Sequence, residues 1–90
     1  MNIEELADIF NAKIVVTRYP GNTGYIADFD GAEVKEYKSS AIMCGECGRG
    51  RTPNEAIADY VKRIRGKWIV FNPMDKQRRK EFGVPQSLST

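Results

Sequence analysis

The chain of 90 residues contains no histidine and only two cysteines. Without histidine it lacks the most common general base and the most common metal ligand of proteins. A Ser-His-Asp or Cys-His mechanism is therefore excluded, and two cysteines cannot form a disulfide framework. The apolar content of 41% and the nine aromatic residues (one Trp, four Tyr and four Phe) nevertheless indicate a globular domain.

The chain also lacks a long hydrophobic run. No segment approaches the ~20 apolar residues that span a bilayer, and the N-terminal MNIEELADIF carries acids where an export signal carries bases. We therefore expect a cytoplasmic protein that makes no contact with a membrane. A chain of this length forms one domain, which we assign to residues 1–85, followed by a flexible tail at residues 86–90. So small a core also favours a homo-oligomer.

The net charge of +2 conceals an asymmetry between the two halves of the chain. Residues 1–46 carry eight acidic and four basic side chains, whereas residues 47–90 carry four acidic and ten basic ones. An excess of bases in one half favours an anionic partner. The alternative is that the two halves neutralise each other within the fold.

Hydrophobic periodicity predicts an α+β fold with the element order α-β-β-β-α-β. The helices are expected at residues 3–10, after an Asn2 cap, and from Pro53 to about residue 65, after a Thr52 cap; the strands are expected at residues 13–19, 25–29, 32–38 and 67–71. Asp30-Gly31 predicts a type I′ hairpin between the second and third strands. The simplest architecture is one antiparallel sheet of three to four strands with both helices on one face.

The segments GYIADFD, VKEY, GRGRTPNEAIADYV and GKWIVF resemble the HicB-like antitoxin family over residues 13–71. The positions that match the family's turn into its helix are Gly50, Thr52, Glu55 and Ala56, with Arg51 where the family often has Asp. The resemblance implies a β-β-β-α-β core of HicB-like or dsRBD-like form. It also implies an antitoxin-like or inhibitor protein that binds a host protein or nucleic acid directly.

The ending GKWIVFNP…RRKEFGVP resembles small proteins of phages and prophages. Such proteins often bind and disable a host factor, including components of host defence. This resemblance implies an anti-defence protein that acts by binding in the cytoplasm of a host cell.

The stretch GECGRGRT combines glycines and arginines immediately before the second predicted helix. A helix N-terminus favours anions, glycines allow close approach of the backbone, and guanidinium groups bind phosphate in bidentate fashion. We expect a phosphate-bearing, nucleotide-type ligand whose base is covered by an aromatic ring; the predicted ligand-binding residues are Arg49, Gly50, Arg51, Thr52, Tyr25 and Tyr37. The lysine and spacing of an ATP-hydrolysing P-loop are missing. The alternative is a capping box at Thr52 and Glu55 with solvated arginines.

These features predict sequestration of the ligand without catalysis and without a cofactor. An enzyme ranks last, because nothing in the sequence brings the carboxylates of Asp28, Asp30 and Glu46 together. Tyr19 and Trp68 are further aromatic residues that could stack on a base, although Trp68 is better placed in the core.

A basic cluster near the C-terminus is a second candidate for partner binding. Its residues are Lys76, Arg78, Arg79 and Lys80. If it is functional, it would bind nucleic acid or the acidic face of a host protein. The alternative is an ordinary solvated surface.

Cys44 and Cys47 form one C-x-x-C pair. Zinc needs four ligands, so this pair could hold zinc only if the site is shared across a dimer. A redox motif would place the first cysteine at a helix start, and the predicted helix begins several residues later. Packing without metal or redox chemistry is the third interpretation.

Overall fold

The computed structural model describes residues 1–21 and 23–90, which form two helices and six strands in two antiparallel sheets. The elements are α1 Ile3–Phe10, β1 Ile14–Arg18, β2 Tyr25–Phe29, β3 Ala32–Lys35, β4 Gly48–Gly50, α2 Pro53–Ile64, β5 Trp68–Phe71 and β6 Lys80–Gly83. The first sheet has the strand order β1-β2-β4, and the second has the order β3-β5-β6. The α+β class and the antiparallel pairing are thereby confirmed. Among the described residues, no helix is long and apolar enough to cross a membrane.

The prediction of a single sheet is wrong, because the chain changes sheets between β2 and β3. The predicted type I′ hairpin is also wrong: Gly31 has a positive φ of 77°, but Asp30, which would need one as well, does not. The strand that follows does not return along β2; β3 pairs with β5 instead. The apolar strand expected at residues 67–71 is found as β5, and it takes the central position between β3 and β6. An apolar central strand needs partners on both edges, and β3 supplies one of them.

Both helices begin where their capping residues predict. Asn2 accepts a hydrogen bond from the Glu5 N–H at 2.9 Å, and Glu5 Oε1 accepts one from the Asn2 N–H at 3.1 Å. Thr52 Oγ1 likewise accepts from the Glu55 N–H at 3.1 Å, with Pro53 in the first helical turn. The second half of this capping box differs from the prediction, because Glu55 accepts from the Arg51 N–H at 2.9 Å rather than from Thr52.

The core lies between α2 and the inner face of the first sheet, and it continues onto the second sheet. Phe29 contacts both Tyr60 and Phe71, with ring centroids 5.7 and 5.9 Å apart. Phe71 in turn packs on Phe10 of α1 at 4.6 Å. Burial raises the pKa of the Tyr60 hydroxyl to about 12, although a hydrogen bond from the Phe29 backbone opposes the rise. One aromatic chain therefore connects both helices and both sheets.

The C-terminal segment packs against the domain, although the sequence predicts a flexible tail at residues 86–90. Leu88 is fully buried, and its carbonyl accepts a hydrogen bond from Arg65 Nε at 2.7 Å. The Ser89 carbonyl accepts from the Ile3 N–H at 2.7 Å. A single apolar anchor and bonds to α1 thus hold a segment whose composition is otherwise polar.

The sequence predicts a glycine-rich loop before α2, whereas Gly48–Gly50 within it form the strand β4. It pairs with β2, with Gly48 opposite Ala27 and Gly50 opposite Tyr25. A Cβ atom on Gly48 would overlap the backbone of Ala56 and Tyr60, and one on Gly50 would lie 2.6 Å from the Ala56 nitrogen. These glycines therefore let the backbone of α2 lie directly on the backbone of β4.

We expect Gly48→Ala to destabilise the domain by about 2 kcal/mol or more, because the added methyl group would push α2 away from β4. Urea denaturation measures the change in the free energy of unfolding. Gly45→Ala is the matched control, since a Cβ there meets no atom within 4 Å; its effect should stay within about 0.5 kcal/mol. Equal stability of the two variants would contradict the close packing of α2 on β4.

Candidate ligand-binding surface

The outer face of the first sheet is the side that points away from α2. Strand alternation turns Ala27 and Gly48 towards α2, and it turns their neighbours Ile26 and Arg49 to the other side. Thr17 of β1 is in register with Ile26, so Thr17, Ile26 and Arg49 form one row across this outer face. The exposed Val15 lies on the same face of β1. This arrangement leaves one side of a three-stranded sheet open to a ligand.

Tyr19 and Arg49 meet at one corner of this face, and the exposed Arg51 follows Arg49 by two residues. The guanidinium carbon of Arg49 lies 5.6 Å from the centroid of the Tyr19 ring, which is the geometry of a cation–π contact. The N–H groups of Arg49 and Arg51 both bond to carboxylates of α2. The register of β4 places the Arg49 side chain on the outer face, and Arg51 follows the end of β4. We call Tyr19, Arg49 and Arg51 the arginine corner. Within the described part of the chain, neither arginine side chain forms an ion pair.

The backbone N–H groups before α2, by contrast, are already bonded within the chain. Asp59 Oδ2 accepts from the Arg49 N–H at 2.8 Å, and Glu55 Oε2 accepts from the Arg51 N–H at 2.9 Å. A phosphate at these N–H groups would have to displace two carboxylates of α2. The predicted use of the backbone amides is therefore not supported, while the guanidinium groups of the same residues remain exposed.

The two tyrosines predicted to cover a base lie apart from each other. Tyr25 pairs with Gly50, and its half-buried side chain packs against the core. Tyr37 is exposed and lines a separate pocket with Cys44 and Glu46. The aromatic residue that contacts a predicted arginine is Tyr19, which the sequence suggests only as a further residue that could stack on a base. Thr52 is committed to capping α2.

Asp59 is the carboxylate that fixes the position of Arg49. Although partial burial would raise the pKa of Asp59, hydrogen bonds from the Arg63 side chain and the Arg49 N–H lower it below its ordinary value of 3.8. Arg63 Nε donates to the same oxygen at 2.8 Å, and Arg63 Nη1 lies 3.5 Å from Glu46 Oε1. The pKa of Arg63 is raised in turn, chiefly by its hydrogen bond with Asp59. This network holds β4 against α2 from outside the core.

The remaining predicted polar residues do not form a reactive cluster. Asp28 has a raised pKa because it is partly buried and lies near Asp30. Cys44 pairs with Val34, Cys47 precedes β4, and both cysteines are free thiols. No group of three or more metal-ligating side chains occurs among residues 1–21 and 23–90. A zinc site shared across a dimer stays a prediction.

The basic cluster is divided between structural and exposed side chains. The Arg79 guanidinium donates to the Pro73 carbonyl at 3.3 Å and contacts Glu81 at 3.4 Å, so it holds the loop between β5 and β6. Lys76 and Lys80 are exposed and form no ion pair with any described residue. Arg78 is also exposed, with its Nε 3.9 Å from an oxygen of Asp75.

We expect Asp59→Asn to lower stability at neutral pH by roughly 1–3 kcal/mol, because it weakens hydrogen bonds to a charged acceptor. The folded-state pKa of Asp59 is lowered, so its carboxylate stabilises the fold above its ordinary value of 3.8 and loses this effect as the pH falls below it. The difference between wild type and variant should therefore shrink in acid. Urea denaturation at neutral pH and near pH 3 measures it.

The exposed Asp8 supplies the control for this experiment, because it forms no ion pair within the described ranges. Asp8→Asn should change stability little at either pH. A stability loss for Asp59→Asn that is the same at both pH values would show that the charge of Asp59 does not hold β4.

Comparisons with known proteins do not identify the function of the chain. No family model, no curated protein and no solved structure matches the chain. The resemblances to HicB-like antitoxins and to small phage proteins accordingly stay predictions from the sequence.

Proposed function

We propose that the chain is a small, non-catalytic binding protein that sequesters a phosphate-bearing ligand of nucleotide type at the arginine corner. The observation that carries the proposal is the contact of the Arg49 guanidinium with the exposed Tyr19 ring at 5.6 Å. It joins the two chemical groups that recognise a nucleotide, a bidentate phosphate donor and an aromatic surface for a base. Tyr19 replaces Tyr25 and Tyr37 as the stacking residue in this proposal.

The packing of β4 supports the proposal because it fixes where the arginines project. The backbone of Arg49 is held by β2 on one edge, through its neighbours Gly48 and Gly50, and by Asp59 on the other. Arg51 is held by Glu55. A ligand therefore meets side chains attached to a fixed backbone, which lowers the entropy cost of binding.

The charge of the corner also supports an anionic ligand. Arg49 and Arg51 lie in the basic half of the chain, and their guanidinium groups have no carboxylate partner in the described residues. Arginines of this chain that stabilise the fold form ion pairs instead: Arg63 pairs with Asp59, and Arg79 pairs with Glu81. Two uncompensated guanidinium groups, one of them against an exposed ring, therefore favour binding over structure.

Native mass spectrometry of the purified protein, followed by isothermal titration with AMP, ADP, ATP and inorganic phosphate, tests the proposal. We expect Arg49→Ala with Arg51→Ala to weaken nucleotide binding at least about tenfold, because both phosphate donors are lost. The control is Lys76→Ala with Arg78→Ala, which removes the same charge from another surface and should leave the affinity nearly unchanged. Equal weakening by both pairs would reduce the effect to net charge and overturn the proposal.

Tyr19 gives a second, separate readout. Tyr19→Ala should weaken binding of the nucleotides about tenfold, since stacking contributes roughly 1–3 kcal/mol per base, and it should not affect inorganic phosphate. Tyr19→Phe retains the ring and should bind like wild type. Wild-type affinity in Tyr19→Ala would exclude the ring from the site.

A second candidate function is protein or nucleic acid binding by the loop between β5 and β6, and one observation favours it. Met74 is 94% exposed at this loop, next to Lys76 and Arg78. The Asn72 side chain donates to the Arg78 carbonyl at 3.2 Å, so the loop is ordered while its apolar tip stays in solvent. Charge reversal at Lys76 and Arg78 would abolish binding in this case, and loss of the corner arginines would not.

A further inference from the structure

The edges of the two sheets differ in how they are protected. An unprotected edge strand presents unpaired N–H and C=O groups that can pair with another strand. The outer edge of β4 is covered by Asp59 and Glu55, which accept the N–H groups of Arg49 and Arg51. The chain itself thus closes one edge of the first sheet.

Both edges of the second sheet are also protected. Val34 of β3 exchanges two hydrogen bonds with Cys44, at 2.8 and 2.9 Å, so residues near Cys44 cover that edge. The strand β6 begins with the exposed charged residues Lys80 and Glu81, which disfavour pairing with a further strand.

Among the described residues, no other segment bonds to the outer edge of β1, and its one charged residue, Arg18, stands at the end of the strand. The hydrogen bonds from the Tyr19 N–H to the Gly24 carbonyl and from the Asp30 N–H to the Lys13 carbonyl bracket the β1–β2 ladder. Antiparallel alternation then directs the backbone groups of Ile14, Val16 and Arg18 away from β2. Within the described residues these groups form no backbone hydrogen bond to another segment, and residues 14–17 are the uncharged sequence IVVT.

We propose that the outer edge of β1 pairs with β1 of a second copy of the chain, in an antiparallel two-fold dimer centred on Val16. In this register Val16 lies opposite Val16 of the second copy, and Ile14 lies opposite Arg18. All three outward-facing residues of each strand then form hydrogen-bonded pairs, whereas a register centred on residue 15 or 17 would use only two of them. The first sheets of both copies become one continuous six-stranded sheet.

Charge complementarity favours a second copy over an unrelated strand. Arg18 is exposed on β1, and Glu4 lines the same concave surface as Ile14. Neither Arg18 nor Glu4 forms an ion pair with the residues that the structure describes. Because the two-fold register sets Arg18 opposite Ile14 of the second copy, each Arg18 meets the Glu4 of the other chain, and the pair forms twice.

The side chains on both faces of β1 suit this pairing as well. On the outer face Val15 lies opposite Thr17 of the second copy, which is a pair of β-branched residues typical of adjacent strands. On the inner face the half-buried Ile14 and Ile57 line the concave surface beside β1. In the dimer, Arg18 of the second copy stands opposite Ile14 and therefore borders this surface.

This dimer goes beyond the proposed function and does not depend on it, since no ligand takes part in the pairing. Analytical ultracentrifugation of the full chain over a wide concentration range tests it. We expect a reversible dimer of twice the 10.2 kDa chain mass. Arg18→Glu should weaken the dimer at least about tenfold, because it sets Glu against Glu4, and the charge-swapped Arg18→Glu with Glu4→Arg should restore it.

Val16→Pro is a second, independent variant. Its lost N–H points away from β2, so the β1–β2 ladder is retained while the dimer is blocked. Circular dichroism and thermal unfolding establish that each variant is folded, and an unfolded Val16→Pro leaves the charge swap to decide. A wild type that is monomeric at every concentration, open-ended polymers, or a charge swap without rescue would each overturn the proposal.

Discussion

The structure depends on the direct contact between the backbones of α2 and β4. The contact exists because Gly48 and Gly50 carry no side chain at the positions that a Cβ would fill. It brings the first turns of α2 close enough for Glu55 and Asp59 to reach the far edge of β4. The same helix therefore packs on the inner face of the strand and closes its outer edge, and the burial of Tyr60 on Phe29 follows from this position.

This contact decides which groups of residues 48–52 are open to a ligand. The backbone N–H groups of Arg49 and Arg51 are used by the carboxylates of α2, and the glycines are used by the helix backbone. What remains exposed is the pair of guanidinium groups on the outer face. In the proposed function, this segment binds phosphate with its arginine side chains alone, while its backbone serves the fold.

The fold was predictable where the signals are local. Asn2, Thr52 and Pro53 fix the two helix starts, and the apolar run ending at Phe71 marks the central strand of the second sheet. The pairing of strands was not predictable, because it depends on contacts between distant residues. Asp30-Gly31 specifies a turn but not which strand follows on which edge. The role of Gly48 was also not predictable. A glycine that allows close approach of a helix cannot be told from the sequence apart from one that allows close approach of a phosphate.

The site was predictable in part for the same reason. Arg49 and Arg51 stand out by type and position, whereas Tyr19 joins them only through the β1–β2–β4 register. That register also connects the two proposals. In the two-fold pairing of β1 about Val16, Lys13 of the second copy lies opposite Tyr19, and both side chains fall on the outer face. Besides Arg49, dimerisation would thus add a second cation beside the Tyr19 ring. The open edge of β1 and the open face of the first sheet would then contribute to one surface in the dimer.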